Sequence, residues 1–344
     1  METRRTFLKK SLPRILFLGA LLSFRPLPLA WGRSQGVDLS RPEYSALVDE
    51  LVSRYQFSKK DLRQLFGKAV LRPEIIEKFE KPPEILPYYE YRRRFIRDEL
   101  ILLSQEYLAK NIDLLEKVEA DFGVEKEIVC SILGIESKFG QAGVQNYRVF
   151  DVLNTAFSIY PRRADFYRTE LIAFLLLCRE EQMDPLDVKG SYAGAFGVPQ
   201  FMPSSFRHYA VDYDHDGKRD LIHSTPDIAA SVANYLRAFG WRHKGLLWSN
   251  AVLVGDSAEA KQILGNGLRS ATSVDRLSAI GVKIDPAPEA GEEASLLTYE
   301  SKEGEESLVA AFGNFRAITH YNHSANYALA VIELARILSK GTAG

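Results

Sequence analysis

Cysteine is scarce in this chain, which has only Cys130 and Cys178 among its 344 residues. Two thiols are too few for a disulfide-based scaffold or for a zinc cluster built from cysteines. Both lie in apolar stretches with helical spacing, which favours buried free thiols, with a disulfide between them as the alternative. A small disulfide-rich or cysteine-metal protein is therefore excluded.

An excess of charge is also missing, since 44 lysines and arginines face 45 aspartates and glutamates. A formal net charge of −1 argues against nucleic acid as a partner, because phosphate binding requires a basic surface. This average combines two unlike segments. Residues 1–32 carry six basic residues and one acid, so the remaining 312 residues carry a net charge of −6. The chain beyond the leader is acidic.

Uncharged apolar runs long enough to span a membrane are absent. The run from Ile15 to Phe24 is too short for a span, and it follows the pair Arg4-Arg5. Ala30-Trp31-Gly32 then offers small residues at the two positions that a signal peptidase reads. This pattern is typical of a twin-arginine signal peptide cleaved near Gly32; the alternative is an uncleaved amphipathic N-terminus. No cysteine lies there to accept a lipid, so we expect a soluble periplasmic protein without membrane span or lipid anchor.

Motifs of several other chemistries are missing as well. The sequence has no G-x-S-x-G nucleophile motif, no phosphate-binding P-loop and no H-E-x-x-H zinc motif. His320 and His323 lie three residues apart, but no acidic residue stands near them in the sequence. A solvated or structural histidine pair is therefore favoured over a metal site.

Apolar residues recur at helical spacing along most of the chain. Two helix starts are marked by capping patterns, namely Ser58 with Asp61 three residues later and the segment Thr225-Pro226-Asp227. The predicted helices cover about 43–55, 58–66, 97–122, 125–139, 162–182, 225–240 and 325–338. Residues 184–222 predict an ordered loop with one short helix. A β-hairpin is predicted from 295–301 and 307–319. The fold class is mainly α (α+β), with a small β element near the C-terminus.

One glutamate stands on the apolar face of a predicted helix. Glu136 follows Ile132 by four residues and Val129 by seven, so the three share one side of the helix. A carboxyl group that loses hydration favours its protonated form, which a general acid needs. The alternative is a glutamate that reaches water or pairs with an arginine.

A glycine-rich stretch, residues 190–203, mixes small, polar and aromatic residues. Glycine lets the backbone approach a ligand closely. Ser191 and Gln200 add uncharged hydrogen-bonding groups, while Phe196 and Phe201 add apolar faces. This mixture suits a carbohydrate, which presents hydroxyl groups and apolar ring faces together. A tight structural loop is the alternative.

An acidic loop follows, with acids at relative positions 1, 3, 5 and 9 of residues 212–220 and Gly217 at position 6. This arrangement matches the first part of an EF-hand calcium loop. Position 12 is His223 in place of a bidentate glutamate, but Asp227 in the next helix would close an enlarged loop. The pattern predicts calcium binding, with an acidic surface turn as the alternative.

Together these features resemble the lytic murein transglycosylases of the B type, lysozyme-like enzymes of glycoside hydrolase family 103 that cleave peptidoglycan glycan strands. The resemblance extends over about residues 88–245 and resumes at 317–334. It is carried in order by Gly134-Ile135-Glu136-Ser137-Lys138-Phe139-Gly140, Tyr160-Pro161-Arg162-Arg163-Ala164, residues 190–205, the acidic loop, Ser231-Val232-Ala233-Asn234-Tyr235 and Thr319-His320-Tyr321-Asn322-His323-Ser324.

The resemblance implies that Glu136 is the sole catalytic acid and base. It would protonate the oxygen that links N-acetylmuramic acid to N-acetylglucosamine in the β-1,4 bond. The muramic C6 hydroxyl, in place of water, would then attack the anomeric carbon and leave a 1,6-anhydro sugar. A hydrolytic muramidase, and an inactive cell-wall or calcium-binding scaffold, are the alternative functions.

The resemblance also implies a glycan cleft and a structural Ca²⁺ site, with no organic cofactor. The residues implied to contact the glycan are Ser191, Gln200, Tyr91, Tyr160, Tyr235, Tyr321, Asn322 and Tyr327. The implied calcium ligands are Asp212, Asp214, Asp216, the Lys218 carbonyl and Asp227. The chain departs from the usual family pattern at Phe196 and Val198-Pro199, where Met and Tyr-Gly are more common. The expected partner is the peptidoglycan glycan strand.

Five segments are predicted on this basis. They are the signal peptide (1–32), an N-terminal helical region (33–124), a lysozyme-like catalytic core with the calcium loop (125–245), a small α/β region with the hairpin (246–324) and a C-terminal helix that packs back on the core (325–344).

Overall fold

Most of the described chain is helical and a small sheet lies near its C-terminal end, so the predicted fold class is confirmed. The computed structural model describes residues 36–80, 86–141, 146–289 and 291–341. The predicted signal peptide over residues 1–32, with its cleavage near Gly32, lies outside the described residues. Backbone contacts group the described residues into one compact unit.

The N-terminal helices each bury one apolar face. They are α1 (Pro42–Ser53), α2 (Lys59–Phe66), α3 (Glu74–Phe79), α4 (Tyr88–Tyr91), α5 (Asp98–Lys110) and α6 (Ile112–Phe122), and a 3₁₀ turn covers Arg92–Arg94. Ser58 caps α2, since its Oγ accepts a hydrogen bond from the Asp61 N–H at 3.3 Å. The predicted capping pattern is therefore confirmed at this helix.

The single long helix predicted over 97–122 is wrong, because the chain breaks between α5 and α6. Asn111 leaves the helical region with φ −114° and ψ 22°. Its side-chain amide donates to the Tyr107 carbonyl at 2.8 Å. A short polar side chain that bonds to the backbone in this way competes with helix propagation.

The central helices lie in the larger of two apolar cores found in the described residues, which also includes residues of α1 and α2. They are α7 (Lys126–Ser137), α8 (Val149–Ile159), α9 (Ala164–Glu180), α10 (Pro203–Tyr209) and α11 (Thr225–Ala238). The helix α8 was not predicted, because residues 149–157 are all buried and leave no polar face to mark a helical period. Cys130 and Cys178 are buried free thiols, as their apolar helical context favours.

The predicted loop at 184–222 contains α10, the one short helix expected there, and a two-residue strand. This strand, β2 (Lys189–Gly190), pairs antiparallel with β1 (Tyr147–Arg148). At the end of the loop, Ser224 rather than Thr225 caps α11, since its Oγ accepts from the Asp227 N–H at 3.4 Å. The helix therefore begins as predicted, but with the cap one residue earlier.

A second, smaller core lies under a five-stranded antiparallel sheet of order β4-β6-β7-β3-β5. The strands are β3 (Trp248–Leu253), β4 (Thr272–Ser273), β5 (Val282–Asp285), β6 (Glu293–Lys302) and β7 (Glu305–Ala311), with helices α12 (Ala258–Asn266) and α13 (Val274–Ala279) beside them. The hairpin of β6 and β7 is confirmed, but its second strand was predicted too long. Residues 313–321 form helix α14 (Gly313–Tyr321), because Phe315 and Ile318 lie on one helical face in the core.

The last helix, α15 (Ala325–Gly341), packs against α7 and α5. Glu333 on α15 accepts a hydrogen bond from the Tyr88 hydroxyl at 2.6 Å and pairs with the Arg92 guanidinium. These contacts hold the N-terminal segment around α4 against the C-terminal helix. Within the described residues, we find no helix with the length and apolar character needed to cross a bilayer.

Candidate active site

Glu136 lies in the last turn of α7, where its side chain is half-buried while residues 128–135 of the same helix are buried. The helix ends one residue later, at Ser137, since Lys138 and Phe139 have positive φ values of 47° and 58°. Ser137 donates its hydroxyl to the Val198 carbonyl at 2.6 Å. The glutamate is therefore held at the junction between α7 and the glycine-rich loop.

The hydroxyl group of Tyr327 donates a hydrogen bond to Oε1 of Glu136 at 2.7 Å. Tyr327 is 2% exposed and lies in the first turn of α15, which packs on α7. Burial raises the pKa of the Tyr327 hydroxyl well above its ordinary value of 10.0, and the Glu136 carboxylate raises it further. The tyrosine therefore remains a proton donor and holds one carboxyl oxygen of Glu136 in place.

An aromatic cluster extends from this contact. The ring of Tyr321 stacks on Tyr327 with centroids 6.3 Å apart, and it meets Tyr235 edge-on at 4.9 Å. Tyr321 donates its hydroxyl to the Pro199 carbonyl at 2.6 Å, and Tyr235 donates to the His320 carbonyl at 2.7 Å. Burial raises the pKa of both hydroxyl groups. The structure thus brings three of the predicted cleft tyrosines into one cluster beside Glu136.

The other predicted glycan-contacting residues are spread more widely. Tyr91 is 2% exposed, and it is close enough to Tyr327 to raise the pKa of that residue. Tyr160 belongs to a different aromatic cluster, with its ring centroid 5.2 Å from that of Phe79. Asn322 is half-buried at the end of α14. Tyr91 is therefore too buried to offer a free stacking surface.

The polar residues of the glycine-rich loop bond to their own backbone. Ser191 Oγ accepts from the N–H groups of Ala193 and Ala195 at 3.3 and 3.2 Å. Gln200, at φ 52°, donates its amide to the Gly197 carbonyl at 2.7 Å. The loop is therefore stabilised internally, and its side chains are ordered by local bonds.

Phe196 and Gly197 are required for the packing of this loop. Phe196 is fully buried and stacks on Phe206 with centroids 5.6 Å apart. Gly197 has φ +74°, and a Cβ at this position would lie 2.7 Å from the Leu221 carbonyl oxygen. Phe196, where the chain is expected to depart from the family pattern, therefore packs in the core of the protein.

Three of the predicted calcium ligands come together. One carboxylate oxygen each from Asp212, Asp214 and Asp227 lies within 4.8 Å of the others. Asp227 is 1% exposed and accepts hydrogen bonds from the Tyr213 and Asp220 N–H groups at 2.7 and 2.9 Å. Burial raises the pKa of Asp227, and this effect outweighs the hydrogen bonds, which lower the pKa.

The remaining two predicted calcium ligands lie in the exposed part of the loop. Asp216 Oδ1 accepts from the Lys218 N–H at 2.9 Å, and the Asp216 N–H donates to Asp212 Oδ1 at 3.1 Å. His215 and Gly217 have positive φ values of 62° and 91°. The loop therefore makes the tight turn that the EF-hand pattern predicts, with Asp216 outside the group of three carboxylates.

A cavity of about 460 Å³ opens beside Glu136. It is lined by Arg94, Phe95, Arg97, Glu99, Leu100, Gly134, Ile135, Glu136 and Lys138. Sequence reasoning assigned no role to its three basic residues. A sequence signal for a place near Glu136 was available for Lys138, which stands two residues after Glu136 in the GIESKFG motif. The two arginines lie about forty residues upstream, so no local pattern connects them to Glu136.

Comparison with known proteins identifies a family that covers most of the chain. The family described as Transglycosylase SLT domain matches residues 40–336. The membrane-bound lytic murein transglycosylase B of Escherichia coli K12 is 32% identical over 310 residues, which cover 87% of this chain and 83% of that protein.

Solved structures of lytic transglycosylases are similar to this fold. The soluble lytic transglycosylase SltB1 of Pseudomonas aeruginosa has a TM-score of 0.81 at 36% identity, covering 88% of this chain and 100% of that one. The E. coli lytic transglycosylase Slt35 in complex with calcium has a TM-score of 0.79 at 31% identity, covering 91% and 97%. SltB3 of P. aeruginosa in complex with NAG-NAM-pentapeptide has a TM-score of 0.73 at 29% identity, covering 86% and 79%.

Proposed function

This chain belongs to the Transglycosylase SLT domain family and is a lytic transglycosylase of peptidoglycan, and from that premise we propose that Glu136 performs both proton transfers of the reaction. Glu136 first donates its proton to the oxygen between N-acetylmuramic acid and N-acetylglucosamine as the bond to the anomeric carbon breaks. The muramic C6 oxygen then bonds to that carbon, and its proton returns to Glu136. The product carries a 1,6-anhydro ring, and the carboxyl group is regenerated.

The contact between Glu136 and Tyr327 is the observation that supports this assignment best. A group that transfers protons must be held in position, and the 2.7 Å hydrogen bond fixes one carboxyl oxygen from a buried tyrosine. The carboxyl group also lines a cavity of about 460 Å³, so a ligand can reach it. Tyr321, Tyr235 and Ser191 are proposed to line the neighbouring part of the glycan site.

Replacement of the carboxyl group tests the proposal. Glu136→Gln is expected to abolish release of soluble fragments from purified peptidoglycan, with a nearly unchanged melting temperature. Glu127→Gln is the matched control, because it lies on the same helix nine residues earlier. Activity of Glu136→Gln within a few-fold of the wild type would contradict the assignment.

Mass spectrometry of the wild-type products addresses the nucleophile. Anhydro ends support attack by the muramic C6 hydroxyl, and reducing ends would indicate a hydrolytic muramidase instead. Absence of any released fragment would indicate the inactive scaffold. The first two outcomes differ in mass by one water molecule per fragment, and the third gives no fragment to weigh.

We also propose that the acidic loop holds a structural Ca²⁺ ion. Asp212, Asp214 and Asp227 place like charges within 4.8 Å of one another, and no lysine or arginine among the described residues forms an ion pair with them. A divalent cation would relieve this repulsion, and hard carboxylate oxygens are the ligands that calcium prefers. Asp216 and the Lys218 carbonyl would complete the ligand set. The ion would tie the loop to α11 without taking part in the chemistry.

Chelation tests the calcium proposal. Addition of EDTA is expected to lower the melting temperature of the wild type, and Asp214→Asn should remove this effect. Asp113→Asn is the control, because this exposed acid lies in the first turn of α6, outside the loop, and its replacement should leave the EDTA response unchanged. The proposal fails if EDTA leaves the wild-type melting curve where it was.

Export to the periplasm through the twin-arginine route is proposed from Arg4-Arg5 and the apolar run that follows. The E. coli relative is named as membrane-bound, which is a property of that protein. Residues 1–32 can be fused to a reporter protein that is active only if it folds in the cytoplasm before export. We expect the fusion to be exported, and we expect the double variant Arg4→Lys, Arg5→Lys to abolish its export. Export of the double variant at the normal level would contradict the route.

A further inference from the structure

The arginines at residues 92–97 differ in their surroundings. Arg92 pairs with Glu333 on α15, and the Arg93 guanidinium lies 6.0 Å from the ring centroid of Tyr89. Arg94 and Arg97, in contrast, both line the cavity beside Glu136. One short segment therefore uses one arginine to hold the fold together and directs two towards the proposed active site.

The two cavity arginines are exposed and lie outside the close ion pairs of the described residues. Arg97 donates from Nε and Nη2 to the Arg94 carbonyl oxygen at 3.2 and 2.8 Å, which fixes its direction. The Lys138 ammonium group and the Arg97 charge together lower the pKa of Glu99, which lines the same cavity. Lys138, the third basic residue of the cavity, pairs with Glu99 at 2.7 Å. Across the described segments, no carboxylate forms an ion pair with Arg94 or Arg97.

The cavity is therefore positive. Its basic residues outnumber its two carboxylates, and the excess is larger when Glu136 carries its proton. The hydroxyl and acetamido groups of a glycan are neutral and do not require such an environment. A guanidinium group binds a carboxylate through paired hydrogen bonds, and it does so more strongly than it binds a neutral acceptor.

We propose that Arg94 and Arg97 bind a carboxylate that muramic acid carries close to the bond that Glu136 cleaves. This rests on the proposed role of Glu136, because the cavity includes that residue. The carboxylate has two possible sources, the lactyl group of a peptide-free muramic acid or a carboxyl group of its stem peptide. With either source, the cavity binds a glycan that carries a carboxylate more tightly than a neutral glycan.

Binding is measured with three ligands in a Glu136→Gln background, where no turnover occurs. The ligands are a neutral chitotetraose, a GlcNAc-MurNAc tetrasaccharide without peptide, and the same tetrasaccharide with pentapeptides. The double variant Arg94→Gln, Arg97→Gln is expected to bind at least one acidic ligand about tenfold more weakly, or about 1.4 kcal/mol. Its affinity for chitotetraose should stay within twofold. Arg93→Gln is the matched control, since that neighbouring arginine does not line the cavity.

The outcomes separate the sources. Weaker binding of only the peptide-free ligand supports the lactyl carboxylate, weaker binding of only the peptide-bearing ligand supports the stem peptide, and weaker binding of both supports a cavity that accepts either. Equal loss for all three ligands, or no loss for any, overturns the inference. If the Glu136→Gln protein binds none of the three glycans, the proposed function itself fails, which is a different result.

Discussion

The hydrogen bond from Tyr327 to Glu136 yields a sharp prediction about catalysis. Tyr327→Phe removes only the hydroxyl group and keeps the buried ring that stacks on Tyr321. A hydrogen bond to a charged group contributes about 1.5–3 kcal/mol. If the bond positions the carboxyl group in the transition state, kcat is expected to fall by about 10- to 150-fold, since each 1.36 kcal/mol is a factor of ten. KM should change little, because the hydroxyl group bonds to the enzyme's own carboxyl group.

The assay is release of soluble fragments from peptidoglycan, with kcat and KM separated. Tyr88→Phe is the matched control, because its hydroxyl group donates to another carboxylate, Glu333, at 2.6 Å. Both variants lose the same kind of bond, and we expect both to change the free energy of unfolding by less than about 3 kcal/mol. Only Tyr327→Phe should lose activity. A kcat within threefold of wild type for Tyr327→Phe, or an equal loss for Tyr88→Phe, would refute the positioning role.

Two further predictions concern stability. Burial raises the pKa of Glu170 above its ordinary value of 4.5, so the folded state binds more protons than the unfolded state above pH 4.5 and stability falls as the pH rises through that window. In urea unfolding from pH 4.5 to 7, the free energy of unfolding of the wild type should therefore fall relative to that of Glu170→Gln. A difference between the two proteins that stays constant over this range would contradict the prediction. Gly197→Ala should lower the free energy of unfolding by more than about 2 kcal/mol, because the added Cβ would meet the Leu221 carbonyl oxygen. Gly304→Ala should lower it less in the same assay, since Gly304 has a similar φ of +73° but no atom near its Cβ. Equal losses of stability would exclude the clash with Leu221.

Local sequence signals predicted those parts of the fold that depend on local chemistry. Ser58 caps its helix as expected, and the β6–β7 hairpin forms around a polar turn. The failures have physical causes. Helix α8 is buried along residues 149–157, so no alternation of polar and apolar residues marks it. The break at Asn111 depends on a single side-chain bond to Tyr107, which spacing does not reveal.

The sequence by itself determined which residue types are available for chemistry at this site, and the tertiary structure decided their arrangement. Glu136 stands out from spacing, because a carboxyl group on an apolar face is unusual in any helix. Its partner Tyr327 lies 191 residues later, and only the packing of α15 on α7 joins the two. Arg94 and Arg97 likewise look like ordinary surface arginines until the fold places them in the cavity beside Glu136. Helical periodicity is a property of neighbouring residues, whereas the charge and shape of a cavity depend on distant segments that meet only in the folded chain.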